Sequence, residues 1–199
     1  MNLSKIGGII AVANNQVAQP LLQVGAIPII RRIVITYQQV GVFPIVVVVG
    51  GDDEELKREL SPLDVIFLKH DQDRIPELMD SVRTGLEYLH GKCRRMVFTP
   101  VNVPMFTPDT LQQLLATDGD IVAPSWQGKG GHPIVIADEV ILQILVTELT
   151  IHRDSAKFIN RYGCARYFAH NQGLLLHDRK QELLAQIEDL TMPLNIEGI

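Results

Sequence analysis

The sequence has few cysteines, no excess of positive charge and no long hydrophobic run. Its two cysteines, Cys93 and Cys164, cannot build a disulfide framework and lack the spacing of a metal site. A formal net charge of −5 disfavours binding to the phosphates of a nucleic acid. No apolar run approaches the ~20 residues that span a bilayer. These absences predict a cytoplasmic protein with reduced thiols that binds neither nucleic acid nor membrane.

What the sequence does contain is a regular alternation of two apolar patterns. Short apolar runs without apolar–polar alternation are typical of strands that are covered on both faces. Such runs predict strands at Ile6–Ala13, Ile45–Val49, Val65–Leu68, Met96–Thr99 and Ile121–Ala123, and an extended segment at Pro133–Ile136. Apolar residues at helical spacing predict helices that include Ile29–Tyr37, Ile75–Leu89, Leu111–Leu115, Val140–Leu145 and Leu183–Ile187. This alternation predicts an α/β fold with a mainly parallel sheet. No linker is visible, so we expect one domain over residues 1–191 and a tail over 192–199.

Ligands of open α/β sheets bind beyond the C-terminal ends of the strands. This rule selects four loops, at Ala13–Gln16, Gly50–Asp53, Lys69–Asp73 and Pro100–Pro104. The first loop has no glycine, arginine or lysine, and the acidic run in and after the second is interpreted as a helix N-terminus. The third contains an Asp-x-Asp string that stays a candidate metal motif. The similar string at Asp118–Asp120 precedes a strand and is predicted to be a helix-to-strand loop.

Several motifs of the sequence, taken in order, resemble those of the molybdenum-cofactor nucleotidyltransferases of the MobA/MocA-like group. They are IVVVVGG at Ile45–Gly51, LMDSVRTGL at Leu78–Leu86, VNVP at Val101–Pro104, GHP at Gly131–Pro133 and GLLLHDRKQELL at Gly173–Leu184. The resemblance covers nearly the whole chain. It implies a three-layer α/β/α, Rossmann-like nucleotidyltransferase fold. It also implies an activity that uses Mg²⁺ with CTP or GTP.

The sequence departs from this family at the residues that would handle phosphate and metal. The family's first loop carries glycines, an arginine and a lysine, whereas here Ala13 follows the strand and its methyl group hinders close approach of a phosphate. The family's metal-binding aspartate aligns with Asn102, and a neutral amide is a poor ligand for a hard, hydrated cation. Its C-terminal carboxylate aligns with His177 or, after a one-residue slip, with Asp178. Losing one preorganised charge-stabilising donor costs about 3–4 kcal/mol in a transition state. We therefore assign no catalytic residue, and Asn102 and Asp178 are the candidate metal ligands.

The resemblance also implies which residues line the ligand crevice. The candidates are Ala11, Val12, Ala13, Asn14, Asn15, Asp80, Ser81, Asn102, Lys129 and His132. The residues alone leave alternatives open: Asp80 and Ser81 as polar helix residues, Lys129 as a solvated lysine, and His132 as a turn histidine.

Three functions follow from these observations. The first is a relative of the enzymes that nucleotidylate molybdopterin, with residual or absent activity and with Mg²⁺ and CTP or GTP if activity survives. The second is a catalytically silent binding or regulatory protein of molybdoenzyme maturation, which requires no cofactor. The third is a sugar-nucleotide-dependent transferase. A nucleotide or a pterin is the expected small-molecule partner, and the protein is expected to be a monomer or a homodimer.

Overall fold

A computed structural model of the protein describes residues 5–12, 19–51, 53–69, 78–126, 129–147 and 165–168. The strands are β1 Ile6–Val12, β2 Gln23–Val24, β3 Ile27–Pro28, β4 Ile45–Val49, β5 Val65–Lys69, β6 Arg95–Pro100, β7 Ile121–Trp126, β8 Lys129–Gly130, β9 Ile134–Ala137 and β10 Ala165–Phe168. The helices are α1 Ile29–Gln39, α2 Glu54–Leu60, α3 Leu78–Leu89, α4 Pro108–Ala116 and α5 Asp138–Thr147.

The main sheet has the strand order β10-β7-β9-β6-β1-β4-β5, and β8 pairs with β7. Strands β10, β7, β6, β1, β4 and β5 run in one direction, while β9 is antiparallel to both of its neighbours. The mainly parallel sheet is therefore confirmed, and the extended segment predicted at Pro133–Ile136 is the antiparallel strand β9. We call the edge at which β1, β4, β6 and β7 end the C-terminal edge.

Helices cover both faces of the sheet, because alternate residues of each strand pack into separate cores. Ile10 and Val12 belong to a cluster with residues of α1, α2 and α4. Ile9 and Ala11 belong to a second cluster with residues of α3 and α5. All five residues of β4 are buried, as the pattern of a doubly covered strand predicts. These two cores give the three-layer α/β/α architecture that the resemblance implied.

The ends of the helices show why the chain turns where it does. Helix α4 begins at Pro108, and the Oγ1 atom of the preceding Thr107 accepts a hydrogen bond from the Thr110 N–H at 3.2 Å. Helix α2 begins after Asp53, whose Oδ1 atom accepts from the Leu56 N–H at 3.1 Å. The acidic run after β4 is thus a helix N-terminus, as predicted.

Other predictions meet the structure in part. The Asp118–Asp120 string lies between α4 and β7, which confirms a helix-to-strand loop. Cys93 is buried and outside any disulfide, and burial raises the pKa of its thiol. None of the helices within the described ranges is long and apolar enough to cross a membrane. Cys164, Asp71–Asp73, the predicted helix at Leu183–Ile187 and the tail from Met192 lie outside the described residues.

Candidate functional site

The segment that carries Asn102 is fixed beside the end of β1. Ala11 is the partner of Pro100 in the parallel β1–β6 ladder, and the Ala11 carbonyl accepts a hydrogen bond from the Val101 N–H at 3.0 Å. The Pro100 carbonyl in turn accepts from the Val103 N–H at 3.1 Å, which closes a turn around Asn102. Two strand ends that the topology rule selected therefore lie side by side at the C-terminal edge.

A side chain of helix α1 holds the far end of this turn. The Nε–H of Arg32 donates to the carbonyl of Pro104 at 3.0 Å. Arg32 is half-buried, and burial lowers the pKa of its guanidinium. The neighbouring Arg31 instead forms an ion pair with Glu59, with 3.0 Å between Nη1 and Oε1. Arg32 is a residue of the site that sequence reasoning missed, because nothing in its spacing separates it from Arg31.

Buried polar side chains concentrate at the C-terminal edge. Seven polar side chains are buried within the described residues, and all but Thr36 lie near the ends of β6 and β7 or the starts of α3, α4 and β9 at this edge. These six are Ser81, Thr99, Asn102, Thr110, Ser125 and His132. Ser125 was also missed, because the apolar run that predicted this strand ends at Ala123, whereas β7 continues to Trp126. The edge is thus a place where the fold keeps hydrogen-bonding groups away from bulk water.

Ser81 lies in the first turn of α3, against the end of β1. Helix α3 runs back along β1, since a Cβ added at Gly7 would meet Leu89 Cδ1 at 2.8 Å and one added at Gly85 would meet Ile9 Cγ2 at 2.5 Å. Ser81 is one helical turn before Gly85 and therefore lies towards the C-terminal end of β1. Ser81 is fully buried, and its Oγ atom has no hydrogen-bond partner in the structure described.

His132 lies on the same face, next to the end of β6. Its ring meets the Phe98 ring edge-on, with 5.3 Å between the ring centroids and an angle of 83° between the planes. The side chain is only 6% exposed, and burial lowers the pKa of its imidazole to about 4. The imidazole is therefore neutral at pH 7. Its Nδ1 atom is buried without a partner among the described residues. His132 lies in a bend just before β9, so the structure does show a turn histidine before an extended segment, with its ring buried.

The other candidate residues divide into four groups. Ala11 is buried in the core on the α3 face of the sheet, and Val12 is buried in the core on the α1 face. Asp80 is half-buried in the first turn of α3, and its carbonyl accepts a hydrogen bond from the Thr84 hydroxyl at 3.0 Å. For Lys129 the structure describes only the backbone, which lies in β8 and pairs with Trp126 of β7. Ala13, Asn14, Asn15 and Asp178 lie outside the described residues.

The described part of the edge does not by itself fit a divalent metal ion. No group of three or more histidine, cysteine, aspartate or glutamate residues with suitable geometry occurs within the described ranges. Asn102 offers a neutral amide at the end of β6, and Mg²⁺ is normally bound through carboxylates and substrate phosphates. We therefore derive no chemical step through a metal.

Comparison with known proteins gives the fold a wider context. Rv0371c from Mycobacterium tuberculosis H37Rv superposes with a TM-score of 0.74 at 19% identity, over 94% of this chain and 100% of that one. A 4-diphosphocytidyl-2C-methyl-D-erythritol synthase from Anaerococcus prevotii DSM 20548 gives 0.76 at 13% identity, over 95% and 97%. A CMP:2-keto-3-deoxy-manno-octonic acid synthetase complexed with CTP gives 0.72 at 13% identity, over 94% and 98%. Rv0371c has also been solved with manganese. These likenesses establish a nucleotidyltransferase-type, Rossmann-like fold.

The sequence comparison identifies the family. Residues 15–166 match the family described as the MobA-like NTP transferase domain. The chain belongs to that family. No curated protein sequence matches it.

Proposed function

We propose that this protein is a MobA-like family member that binds a nucleotide or a pterin at its C-terminal edge, with residual or absent nucleotidyltransferase activity. Nucleotidyl transfer needs negative charge on the triphosphate to be neutralised in the transition state. The observation that carries the proposal is Asn102, which is 6% exposed and stands at the end of β6 where the family pattern has an aspartate. A cytoplasmic protein of molybdenum-cofactor maturation is the setting that the sequence motifs favour.

The edge keeps groups that suit a ring and a ribose better than a triphosphate. Ser81 Oγ and His132 Nδ1 are buried and unpaired within the described part of the chain. The loop after β1 has no cation, and its first residue, Ala13, carries a Cβ where the family pattern has glycine. Buried polar groups gain most from a ligand that satisfies their hydrogen bonds. The loop after β1 therefore offers a triphosphate no matching positive charge.

Thermal unfolding tests this proposal with nucleosides, nucleotides and a metal chelator. Cytidine and CTP are expected to raise the unfolding temperature by similar amounts, as are guanosine and GTP, and EDTA is expected to give the same result as Mg²⁺. A ligand at 100 times its Kd stabilises a protein by about 2.7 kcal/mol, which is several degrees for this size. Ser81→Ala is expected to reduce the shift. Thr36→Val, which removes a buried hydroxyl from the middle of α1, serves as the matched control.

Two results would overturn the proposal. A shift that is larger for the nucleoside triphosphate than for the nucleoside, and that requires Mg²⁺, would show that the edge binds a metal–triphosphate complex. Pyrophosphate release with CTP or GTP, Mg²⁺ and molybdopterin at a rate near ~1 per second would show ordinary enzymatic turnover.

A further inference from the structure

His132 carries a hydrogen-bonding atom that the described fold leaves unused. Natural proteins bury few unpaired polar atoms, because each one costs free energy that folding must offset. Ser81 Oγ, Arg95 Nε and His132 Nδ1 are the three such side-chain atoms within the described residues. Arg95 uses its other guanidinium nitrogens to bond the carbonyls of Leu115 and Thr117, away from the C-terminal edge. His132 makes no comparable bond within the described part of the chain, so its Nδ1 atom has no partner there.

A ring contact places His132 on one face of the sheet. The antiparallel β6–β9 ladder ends at the pair of Phe98 and Ile134, and His132 lies in a bend before β9 begins. The ring that His132 contacts, Phe98, belongs to the same core cluster as Ala11 and Val82. His132 and the first turn of α3, which carries Ser81, therefore lie on the same face of the sheet.

The surroundings of His132 select the chemistry of a partner. Its nearest ring is Phe98, and the core on this face of the sheet is apolar. A neutral imidazole nitrogen donates or accepts one hydrogen bond, depending on the tautomer. An anion in these apolar surroundings would lose its hydration, which is costly unless a cation compensates it. An uncharged ring nitrogen, amino group or carbonyl can instead pair with the imidazole through one hydrogen bond. The ring that carries this group can then pack against the apolar residues around Phe98.

We propose that His132 Nδ1 hydrogen-bonds the uncharged amide-like edge of a heterocyclic ring, and that His132 thereby determines which ring the crevice accepts. This inference deepens the proposed function and rests on it, because it names the atom that recognises the ligand at that same edge. The chemistry is shared by a nucleobase and a pterin. The same assay distinguishes these two sources through the probe that binds.

The test compares two replacements of His132 by calorimetric titration at pH 7.5 with cytidine, guanosine and neopterin. His132→Phe keeps a ring against Phe98 but removes the hydrogen bond, whereas His132→Asn places an amide near the position of Nδ1. His132→Phe is expected to weaken binding of the accepted probe about tenfold, the effect of one lost hydrogen bond. His132→Asn is expected to retain part of the affinity. The probe with measurable affinity for the parent identifies the ring.

Stability measured on the same variants separates recognition from a purely structural role. His132→Phe is expected to unfold at the same temperature as the parent or a higher one, because it replaces a buried unpaired polar group with an apolar ring. Weaker binding by an equally stable variant supports the inference. The inference about His132 would be overturned if His132→Phe bound the probe as tightly as the parent does. It would also be overturned if His132→Asn bound no better than His132→Phe. Both results would leave the proposed function standing. A parent that binds none of the probes would overturn both proposals.

Discussion

Burial of His132 predicts a loss of stability in mildly acidic solution. Burial lowers the pKa of His132 from its ordinary 6.5 to about 4, so between these values the unfolded chain binds a proton that the native state does not. The free energy of unfolding therefore falls as the pH drops from 6.5, and the loss is complete near pH 4. Between the two pKa values the free energy of unfolding changes by about 1.4 kcal/mol per pH unit, which amounts to roughly 3 kcal/mol in all.

Urea unfolding of the parent and of His132→Phe, at intervals from pH 7.5 to 4.5, measures this effect. The remaining ionisable groups of the chain also contribute to the pH dependence of stability. They are common to both proteins and cancel in the difference between the two free energies of unfolding. That difference is expected to shift in favour of His132→Phe by about 2–3 kcal/mol between pH 7.5 and 4.5. Parallel pH profiles would show that His132 is protonated in the native state as readily as in the unfolded chain, and would refute the burial argument.

Two further predictions concern the contacts that hold the site. Arg32→Gln removes the hydrogen bond to the Pro104 carbonyl and is expected to lower the free energy of unfolding by about 1–2 kcal/mol. Arg31→Gln is the matched control, because it removes a partly exposed ion pair worth ~0–1 kcal/mol. Equal losses of stability in the two variants would contradict the role of Arg32. Gly85→Ala places a methyl group 2.5 Å from Ile9 Cγ2. The cost of overpacking, about 1–3 kcal/mol, is expected to outweigh the gain in helix propensity of roughly 1 kcal/mol, so the variant should be less stable. A variant that is more stable than the parent in urea unfolding would refute the overpacking argument.

The strands could be located from the sequence because burial on both faces leaves an uninterrupted apolar run. β4 begins and ends where predicted, and β1 and β6 agree within one residue at their described ends. The reversed direction of β9 could not be predicted, since a doubly covered strand has the same apolar pattern whichever way it runs. The β2–β3 hairpin was missed because each of its strands has two residues, too few to show any period.

The site could be located only as far as the topology rule reaches. Strand ends placed the turn around Asn102 beside β1, and the GHP motif drew attention to His132. The sequence could not show that Ser81 Oγ and His132 Nδ1 are buried without partners, because this depends on how α3 packs along β1 and on the register of β9. Ligand binding by these residues stays a prediction.

The two departures from the family pattern are physically coupled. A carboxylate at the place of Asn102 would be almost entirely buried, and an unpaired buried charge costs several kcal/mol unless a metal ion or a cationic side chain compensates it. The loop after β1 supplies no such cation. A neutral amide removes the buried charge and with it the need for compensation. The backbone bonds of the turn, from Val101 to Ala11 and from Val103 to Pro100, involve no side chain of residue 102. The backbone of the turn therefore needs no carboxylate at residue 102 to keep its geometry, in line with the recognition of an uncharged ring that we propose.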